Sequence, residues 1–216
     1  MKMSEEISTK KGEKWIEIPK QLRNDENRFV LLYKIPDEAS EKDRLKRKRP
    51  SYNNWQNYEK GYRYNDKTLM DHIKGGGGYG ILTGFGLVVI DADDPELVGY
   101  IRKNLPATFE VKSGRDEGGV HFYFQSDMQD KLLLEMKNTR HYGEVQARGQ
   151  QVVCPGSPHT NNKIYHVIAN RPIANLDEAE TRSRLNPFYD ESGGRKTKGK
   201  GYEDDPECLG MTPVQL

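Results

Sequence analysis

The chain has 216 residues, enough for one compact domain or for one core with a small appended module. Hydrophobic residues make up 34% and charged residues 31%, which predicts a modest core under a highly charged surface. The formal net charge of +1 excludes a strong global field that attracts nucleic acid, so any DNA-binding surface must come from local clustering.

The cysteine content and the hydropathy of the chain indicate its compartment. Cys154 and Cys208 lie far apart and match no zinc-ligand spacing, so we expect neither a zinc site nor a disulfide framework. A reducing cytoplasm is the simplest interpretation. The first 15 residues contain no apolar stretch typical of a signal peptide. No segment approaches the roughly 20 apolar residues that a membrane span needs.

The N-terminal quarter contains a run of basic residues followed by an aromatic residue. Residues 1–13 are polar and predict a flexible N-terminus, and a short helical stretch then precedes a predicted strand at 29–33. Residues 41–50, EKDRLKRKRP, are either a solvated loop or a phosphate-facing segment. The aromatic Trp55 that follows is either a core residue or a base-stacking residue. The candidate DNA-contacting residues are Lys46, Arg47, Lys48, Arg49 and Trp55.

Apolar runs and turn residues predict the elements of the middle of the chain. Residues 67–74 predict a helix that the glycines at 75–78 terminate. The apolar runs 81–83 and 87–90, separated by Gly84-Phe85-Gly86, predict a β-hairpin.

The elements beyond residue 93 define the fold class. Asp94 as N-cap and Pro95 at the first helical position predict a helix to about Asn104. A polar, Gly-rich segment, 189–216, predicts a linker or disordered tail behind a catalytic domain at 14–188. Antiparallel strands with a few helices predict an α+β domain. The predicted strands are 109–112 paired with 120–124, 142–147 paired with 151–154, and 164–167.

The sequence VVIDADD contains a pair of acidic residues at the end of an apolar strand. Asp91 and Asp93 are two positions apart, so their side chains project from the same face. Two such carboxylates repel each other unless a cation lies between them, and hard divalent ions such as Mg²⁺ or Mn²⁺ match this oxygen pair. The alternative is a strand end that runs into a turn, with Asp94 capping the next helix.

Two glycine-containing loops supply further polar groups. In KSGRDEGGVH, the glycines allow backbone N–H groups to approach an anion, although a plain hairpin turn is the alternative. In the later segment, Glu144 opens a strand and the loop PGSPH displays a hydroxyl and an imidazole. The polar residues that these segments offer to an anionic ligand, such as a nucleotide, are Lys112, Ser113, Arg115, His121, Arg148, Ser157 and His159.

The order of these motifs resembles the primase-polymerase branch of the archaeo-eukaryotic primase superfamily, especially the replication proteins of archaeal plasmids and phages. The resemblance covers about residues 45–176. It departs from the family at Glu144, where the family often has Asp, and at Gly119, which replaces the serine of a frequent Ser-x-His motif. The matching motifs are Arg49-Pro50 with Trp55, GYGILTG, Asp91-Ala92-Asp93, GGVH with His121, Glu144, and PGSPH ending at His159.

The resemblance implies an RRM-like antiparallel sheet with a small N-terminal α/β module, and a DNA primase and DNA polymerase activity. In such enzymes three carboxylates, here Asp91, Asp93 and Glu144, hold two Mg²⁺ or Mn²⁺ ions. The implied partners are single-stranded or primer-template DNA and NTP or dNTP, and His121 would contact the triphosphate. A helicase domain or replication partner could follow the tail.

Two alternative functions account for fewer of the candidate site residues. A transferase that binds a sugar nucleotide through an Asp-x-Asp site accounts for Asp91 and Asp93 but not for Glu144, His121 or the PGSPH loop. A non-catalytic RRM-like module is suggested by the aromatic run HFYF, yet acidic residues at the sheet centre repel a phosphate backbone unless metals intervene.

Overall fold

The computed structural model describes residues 17–136 and 140–190. The predicted flexible N-terminus at 1–13 and nearly all of the predicted tail at 189–216 lie outside these residues. The described part combines helices with antiparallel sheets, which confirms the α+β fold class. None of its helices has the length and apolar character needed to span a membrane.

The secondary structure comprises four α-helices, four short 3-10 helices and ten strands within the described residues. The α-helices are α1 (Glu41–Arg44), α2 (Lys67–Lys74), α3 (Pro95–Asn104) and α4 (Glu178–Leu185). The 3-10 helices are Lys20–Leu22, Leu45–Lys48, Tyr58–Lys60 and Asn186–Phe188. The strands are β1 (Phe29–Leu31), β2 (Tyr79–Leu82), β3 (Leu87–Ala92), β4 (Phe109–Lys112), β5 (Val120–Gln125), β6 (Leu132–Met136), β7 (Arg140–Gln146), β8 (Gln151–Val153), β9 (His166–Ala169) and β10 (Ala174–Asn175).

The strands form two sheets. The larger sheet has the antiparallel order β6-β7-β3-β5-β4-β9, and the short strand β10 adds to β5 in parallel. The smaller sheet has the order β1-β2-β8. It contains the N-terminal strand but is completed by β8, so the small module draws on residues from both halves of the chain.

The predicted hairpin between 81–83 and 87–90 is wrong. β2 pairs with β1 and β8 in the small sheet, whereas β3 pairs with β5 and β7 in the large one. Gly84 has a φ of 93°, and a Cβ there would lie 2.0 Å from the Cα of Arg148. The chain therefore crosses from one sheet to the other at this glycine. Only a residue without a side chain fits there, because the backbone of Arg148 lies directly beside it.

The predicted pairing of 142–147 with 151–154 is wrong for the same reason. β7 belongs to the large sheet and β8 to the small one, so residues 147–150 form a second crossover. The two crossovers lie side by side, since the Thr83 amide donates to the Gln150 carbonyl at 3.0 Å and the Thr83 hydroxyl donates to the Ala147 carbonyl at 2.5 Å.

The helix with the clearest local signals matches its prediction. α3 begins at Pro95, and the Asp94 carboxylate accepts a hydrogen bond from the Glu96 amide at 2.8 Å. α2 and the β4–β5 pair also lie where the sequence predicts them. The strand predicted at 164–167 is shifted to His166–Ala169, and β6, β10 and α4 have no counterpart among the predicted elements.

The large sheet separates two hydrophobic cores. On one face Val88 and Ile90 of β3 pack with apolar residues of α3 and α4, including Leu97 and Leu185. On the other face Leu87 and Val89 pack into a core shared with the small sheet. Side chains alternate along a strand, so the next position on this second face is Asp91. Asp91 therefore lies on the same face of β3 as Leu87 and Val89, just beyond the part of that face that the small sheet covers.

Candidate active site

Strand register places the acidic residues in one row. Asp91 of β3 lies opposite Glu144 of β7 and, on its other side, opposite His121 of β5. Residues directly opposite each other in an antiparallel sheet point to the same face, with Cβ atoms about 5 Å apart. Asp93 follows two positions after Asp91, just beyond the end of β3. The structure thus brings together three carboxylates and an imidazole that are far apart in sequence.

Positive side chains pair with these carboxylates. The Arg115 Nη1 lies 2.7 Å from the Asp93 Oδ1, and the Lys131 Nζ lies 2.7 Å from the Glu144 Oε2. The His121 Nε2 lies 3.4 Å from the Asp91 Oδ1. The side chains of the three acids are 28%, 21% and 26% exposed, in the order Asp91, Asp93, Glu144. The row can therefore be reached from solvent.

The electrostatics of the row favour a cation. Burial raises the pKa of Asp93, and the negative charge of Asp91 raises it further, while Arg115 and His141 act in the opposite direction. A raised carboxyl pKa means that the site disfavours the ionised form, here because burial removes water and Asp91 adds a second negative charge. A divalent ion near both aspartates would supply compensating positive charge.

The side chains do not form a metal cage as they stand. No group of three or more histidine, cysteine, aspartate or glutamate residues in ranges 17–136 and 140–190 is arranged to hold an ion. Instead, Arg115 and Lys131 pair with oxygens of Asp93 and Glu144. The donor chemistry nevertheless fits Mg²⁺ or Mn²⁺, since carboxylates in one row supply hard oxygen ligands.

Two histidines and a tyrosine line the wall beside the row. The Tyr165 ring lies 5.5 Å from the His121 ring and 5.6 Å from the His159 ring, between centroids. Burial lowers the pKa of both imidazoles, which keeps them neutral near pH 7. The His159 Nδ1 contacts the Asn161 Oδ1 at 2.8 Å, whereas its buried Nε2 has no hydrogen-bond partner in the described part of the chain. A buried polar atom without a partner costs free energy, so the His159 Nε2 is a candidate to contact a ligand.

The glycine-rich turn packs directly against the acidic row. Gly118 has a φ of 58°, and a Cβ there would lie 1.8 Å from the carbonyl oxygen of Asp93. The ammonium of Lys112 donates to the carbonyls of Arg115 and Gly118, and the Ser113 hydroxyl accepts from the Arg115 amide at 3.3 Å. Arg115 thus reaches the acids, while Lys112 and Ser113 hold the turn that presents it.

The predicted display of a hydroxyl in the PGSPH loop is wrong. Ser157 is 1% exposed, and its Oγ accepts from the Tyr79 amide at 2.9 Å and donates to the Tyr79 carbonyl at 3.0 Å. Its hydrogen-bonding capacity is therefore used to attach the loop to the start of β2, and a nucleotide cannot reach it.

The four residues of the basic run at 46–49 differ in their burial and in the groups that they contact. Arg47 is 1% exposed and its guanidinium is satisfied inside the protein, so it is not available to DNA. Lys48 lies near the acids, since burial and Arg115 lower its pKa while Asp91 and Asp93 raise it. Lys46 is partly exposed and pairs with Asp43 at 3.1 Å. Arg49 is partly exposed.

Trp55 and Arg148 lie away from the row. Trp55 is 8% exposed and belongs to the core shared with the small sheet, which leaves no ring face for a base. Arg148 is exposed but lies in the crossover after β7 ends at Gln146, whereas Glu144 lies within that strand. Neither residue is part of a nucleotide cradle around the acids.

Several residues at the site had no signal in the sequence. The Gln146 amide donates to Glu144 at 2.6 Å, and the His141 Nε2 lies 3.4 Å from the Asp93 Oδ2. His141 reaches this place because the β6–β7 register shifts by one residue at Tyr142, which is a β-bulge. Lys131 lies in a loop before the edge strand β6. Bulges and edge positions depend on strand partners, so only the folded chain reveals these residues.

Comparison with known proteins identifies the family. A search of curated proteins found no match. The family model for the N-terminal domain of bifunctional DNA primase/polymerases matches residues 44–179, which include all three acids and both buried histidines. The match extends over more than half of the chain, and the chain therefore belongs to the bifunctional DNA primase/polymerase family.

Proposed function

We propose that this chain is a metal-dependent nucleotidyltransferase that copies a DNA template, joining a nucleotide to a 3′-hydroxyl or an initiating nucleotide with release of pyrophosphate. The observation that carries the proposal is the register of Asp91 against Glu144 and His121 on one open sheet face. The family supports a primase/polymerase type of function, and the chemistry of the row supports the finer assignment.

The three carboxylates would hold two Mg²⁺ or Mn²⁺ ions. When bound, such ions lower the pKa of the attacking hydroxyl and neutralise the triphosphate and the leaving pyrophosphate. To bind them, Asp93 and Glu144 must release Arg115 and Lys131, and these two cations then become available to phosphate oxygens.

The histidine wall would position the triphosphate. His121 is neutral and buried beside Asp91, so a ring N–H can donate to a phosphate oxygen without adding charge next to the ion site. The free Nε2 of His159, whose ring also lies beside Tyr165, would provide a second contact. Lys48, which faces Arg115 and the two aspartates, would add a positive charge at the template or nucleotide side.

The test is synthesis on unprimed and primed single-stranded DNA with NTPs or dNTPs and Mn²⁺ or Mg²⁺. Activity in the wild type and its loss in Asp91→Asn and Glu144→Gln would support the proposal, because each variant keeps the shape and hydrogen-bonding groups of the side chain but removes its charge. Glu135→Gln, on an exposed position of β6, is the matched control and is expected to remain active.

The alternatives give different results in the same assay. DNA binding without metal-dependent synthesis would favour a non-catalytic nucleic-acid-binding module. Cleavage of a nucleotide sugar without any DNA product would favour an Asp-x-Asp transferase.

A further inference from the structure

Four partly or fully exposed side chains from separate segments lie in a row. The Arg28 guanidinium carbon lies 4.4 Å from the centre of the Tyr58 ring, and the Tyr58 and Phe85 ring centres are 4.4 Å apart. The Arg148 guanidinium carbon lies 5.6 Å from the centre of the Phe85 ring. The order is therefore cation, ring, ring, cation, and we name these four residues the stacking platform.

The backbone around the platform is built to hold it. A Cβ at Gly84 would lie 2.0 Å from the Cα of Arg148, so this glycine permits the close approach of the two crossovers. At the other end a Cβ at Gly61 would lie 2.6 Å from the Cβ of Arg28. The Tyr58 hydroxyl donates to the Glu26 carbonyl at 2.6 Å, which orients its ring. The stack is thus positioned by tertiary contacts rather than by chance meetings of flexible side chains.

The charges of the platform have no acidic partner within the described residues. The guanidinium of Arg28 donates only to the backbone carbonyls of Asp25 and Asn27, at 2.6 and 3.0 Å. Arg148 is exposed, and within ranges 17–136 and 140–190 it donates a hydrogen bond only from its backbone amide, to the Gln129 carbonyl. Two unpaired guanidiniums around two aromatic rings match the phosphates and bases of a single strand, because bases stack on guanidinium planes and on rings.

The position of the platform relative to the acids suggests its use. Phe85 and Arg148 lie at the crossover end of β3 and β7, and Asp91 and Glu144 lie four or more residues away on the same two strands. Between them Leu87 and Val89 are buried under the small sheet, so a DNA strand that contacts both the platform and the acids passes around that sheet.

We propose that the stacking platform binds a single-stranded segment of the DNA template at the opposite end of β3 and β7 from the acidic row, with a base on the exposed guanidinium of Arg148. The inference rests on the proposed function, since it names where the DNA substrate contacts the protein outside the acids. It gives Arg148 a role in binding DNA rather than in the nucleotide cradle.

The test measures equilibrium binding of the full chain to a labelled 16-nucleotide single strand by fluorescence anisotropy, with EDTA and no nucleotide. Arg148→Ala and Phe85→Leu are each expected to weaken binding about fivefold or more, which corresponds to the loss of one stacked base. Arg148→Lys keeps the charge but not the planar group and should weaken binding to a similar degree. Arg171→Ala removes an exposed arginine from a loop elsewhere and is the charge-matched control.

An oligonucleotide of the same length with abasic sites separates stacking from phosphate attraction. On this ligand the wild type and Phe85→Leu should bind equally, because the base that stacks is absent. Equal weakening by Arg148→Ala and Arg171→Ala on normal DNA would overturn the proposal, and so would a Phe85→Leu defect of the same size on abasic DNA. Phe85→Leu keeps an apolar side chain, and an unchanged melting temperature shows that it folds.

Failure of this proposal can be distinguished from failure of the proposed function. The binding assay contains neither divalent ions nor nucleotide, so it does not depend on the acids. If DNA synthesis requires Asp91 but the platform variants bind DNA like the wild type, only the present inference is refuted. If the platform variants weaken DNA binding but the wild type makes no DNA, only the catalytic assignment is refuted.

Discussion

Replacing Arg47 by Met tests whether the basic run contains a structural arginine. The Arg47 guanidinium donates twice to the Ile35 carbonyl, at 3.1 and 2.8 Å. It also donates to the His159 carbonyl at 3.0 Å and to the Asn162 Oδ1 at 2.7 Å. A fifth bond, of 2.7 Å, reaches Asp37, whose side chain is 72% exposed. The arginine thus joins the segment before α1 to the loop that carries His159.

The expected loss of stability follows from these contacts. Methionine keeps the aliphatic volume but removes every donor, and a hydrogen bond from a charged donor contributes about 1.5–3 kcal/mol. The exposed partner Asp37 contributes little. Because the remaining acceptors recover some bonds to water, we expect Arg47→Met to lower the free energy of unfolding by about 3–5 kcal/mol. For a chain of this length that corresponds to a decrease in melting temperature of roughly 10 °C.

Thermal unfolding followed by circular dichroism measures this effect. Lys46→Ala, one residue away, removes a partly exposed ion pair and should change the free energy of unfolding by no more than about 0.5 kcal/mol. The reasoning would be refuted if Arg47→Met melted within about 2 °C of the wild type while binding single-stranded DNA more weakly. That result would mean that Arg47 contacts DNA at the surface, as the basic residues next to it in the sequence suggest.

Three further predictions concern the site and its surroundings. Gly118→Ala should destabilise the protein by about 1 kcal/mol or more and reduce synthesis, because its Cβ would collide with the Asp93 carbonyl at a φ of 58°. Burial lowers the pKa of His72 below its ordinary 6.5. The neutral ring therefore stabilises the fold above pH 6.5, and this contribution to stability is lost as the pH falls below 6.5. His72→Gln should flatten the decrease in the free energy of unfolding below pH 6.5. Lys131→Met should tighten Mn²⁺ binding about 1.4- to 5-fold in a paramagnetic titration, because the ammonium no longer competes for Glu144.

Two matched variants serve as controls for the first and third of these predictions. Gly86→Ala introduces a Cβ at a φ of 83° with nothing within 4 Å, so it isolates the backbone strain from the collision. Lys103→Met removes an exposed ammonium of α3 and should leave the Mn²⁺ titration unchanged. An unfolding profile of His72→Gln that keeps the full wild-type slope between pH 5 and about 6.5 would contradict the assigned role of the ring.

The sequence by itself determined the elements whose signals are local. The Asp94 cap with Pro95 marks the start of α3, and the glycines around residue 118 mark the turn of the β4–β5 hairpin. The spacing of Asp91 and Asp93 at a strand end is also local, and so are the motifs that carry the family resemblance. Caps, turns and side-chain alternation depend on residues a few positions apart, so they can be identified without knowing the fold.

Only the tertiary structure decided which strands pair and which polar residues are exposed. The hairpin expected after β2 does not form, because Gly84 takes the chain past Arg148 into the other sheet. Arg47 lies in a run of basic residues, yet distant carbonyl groups bury it. The bulge at Tyr142 brings His141 to the acids. Each outcome depends on partners tens of residues away, and packing against those partners overrides the local pattern.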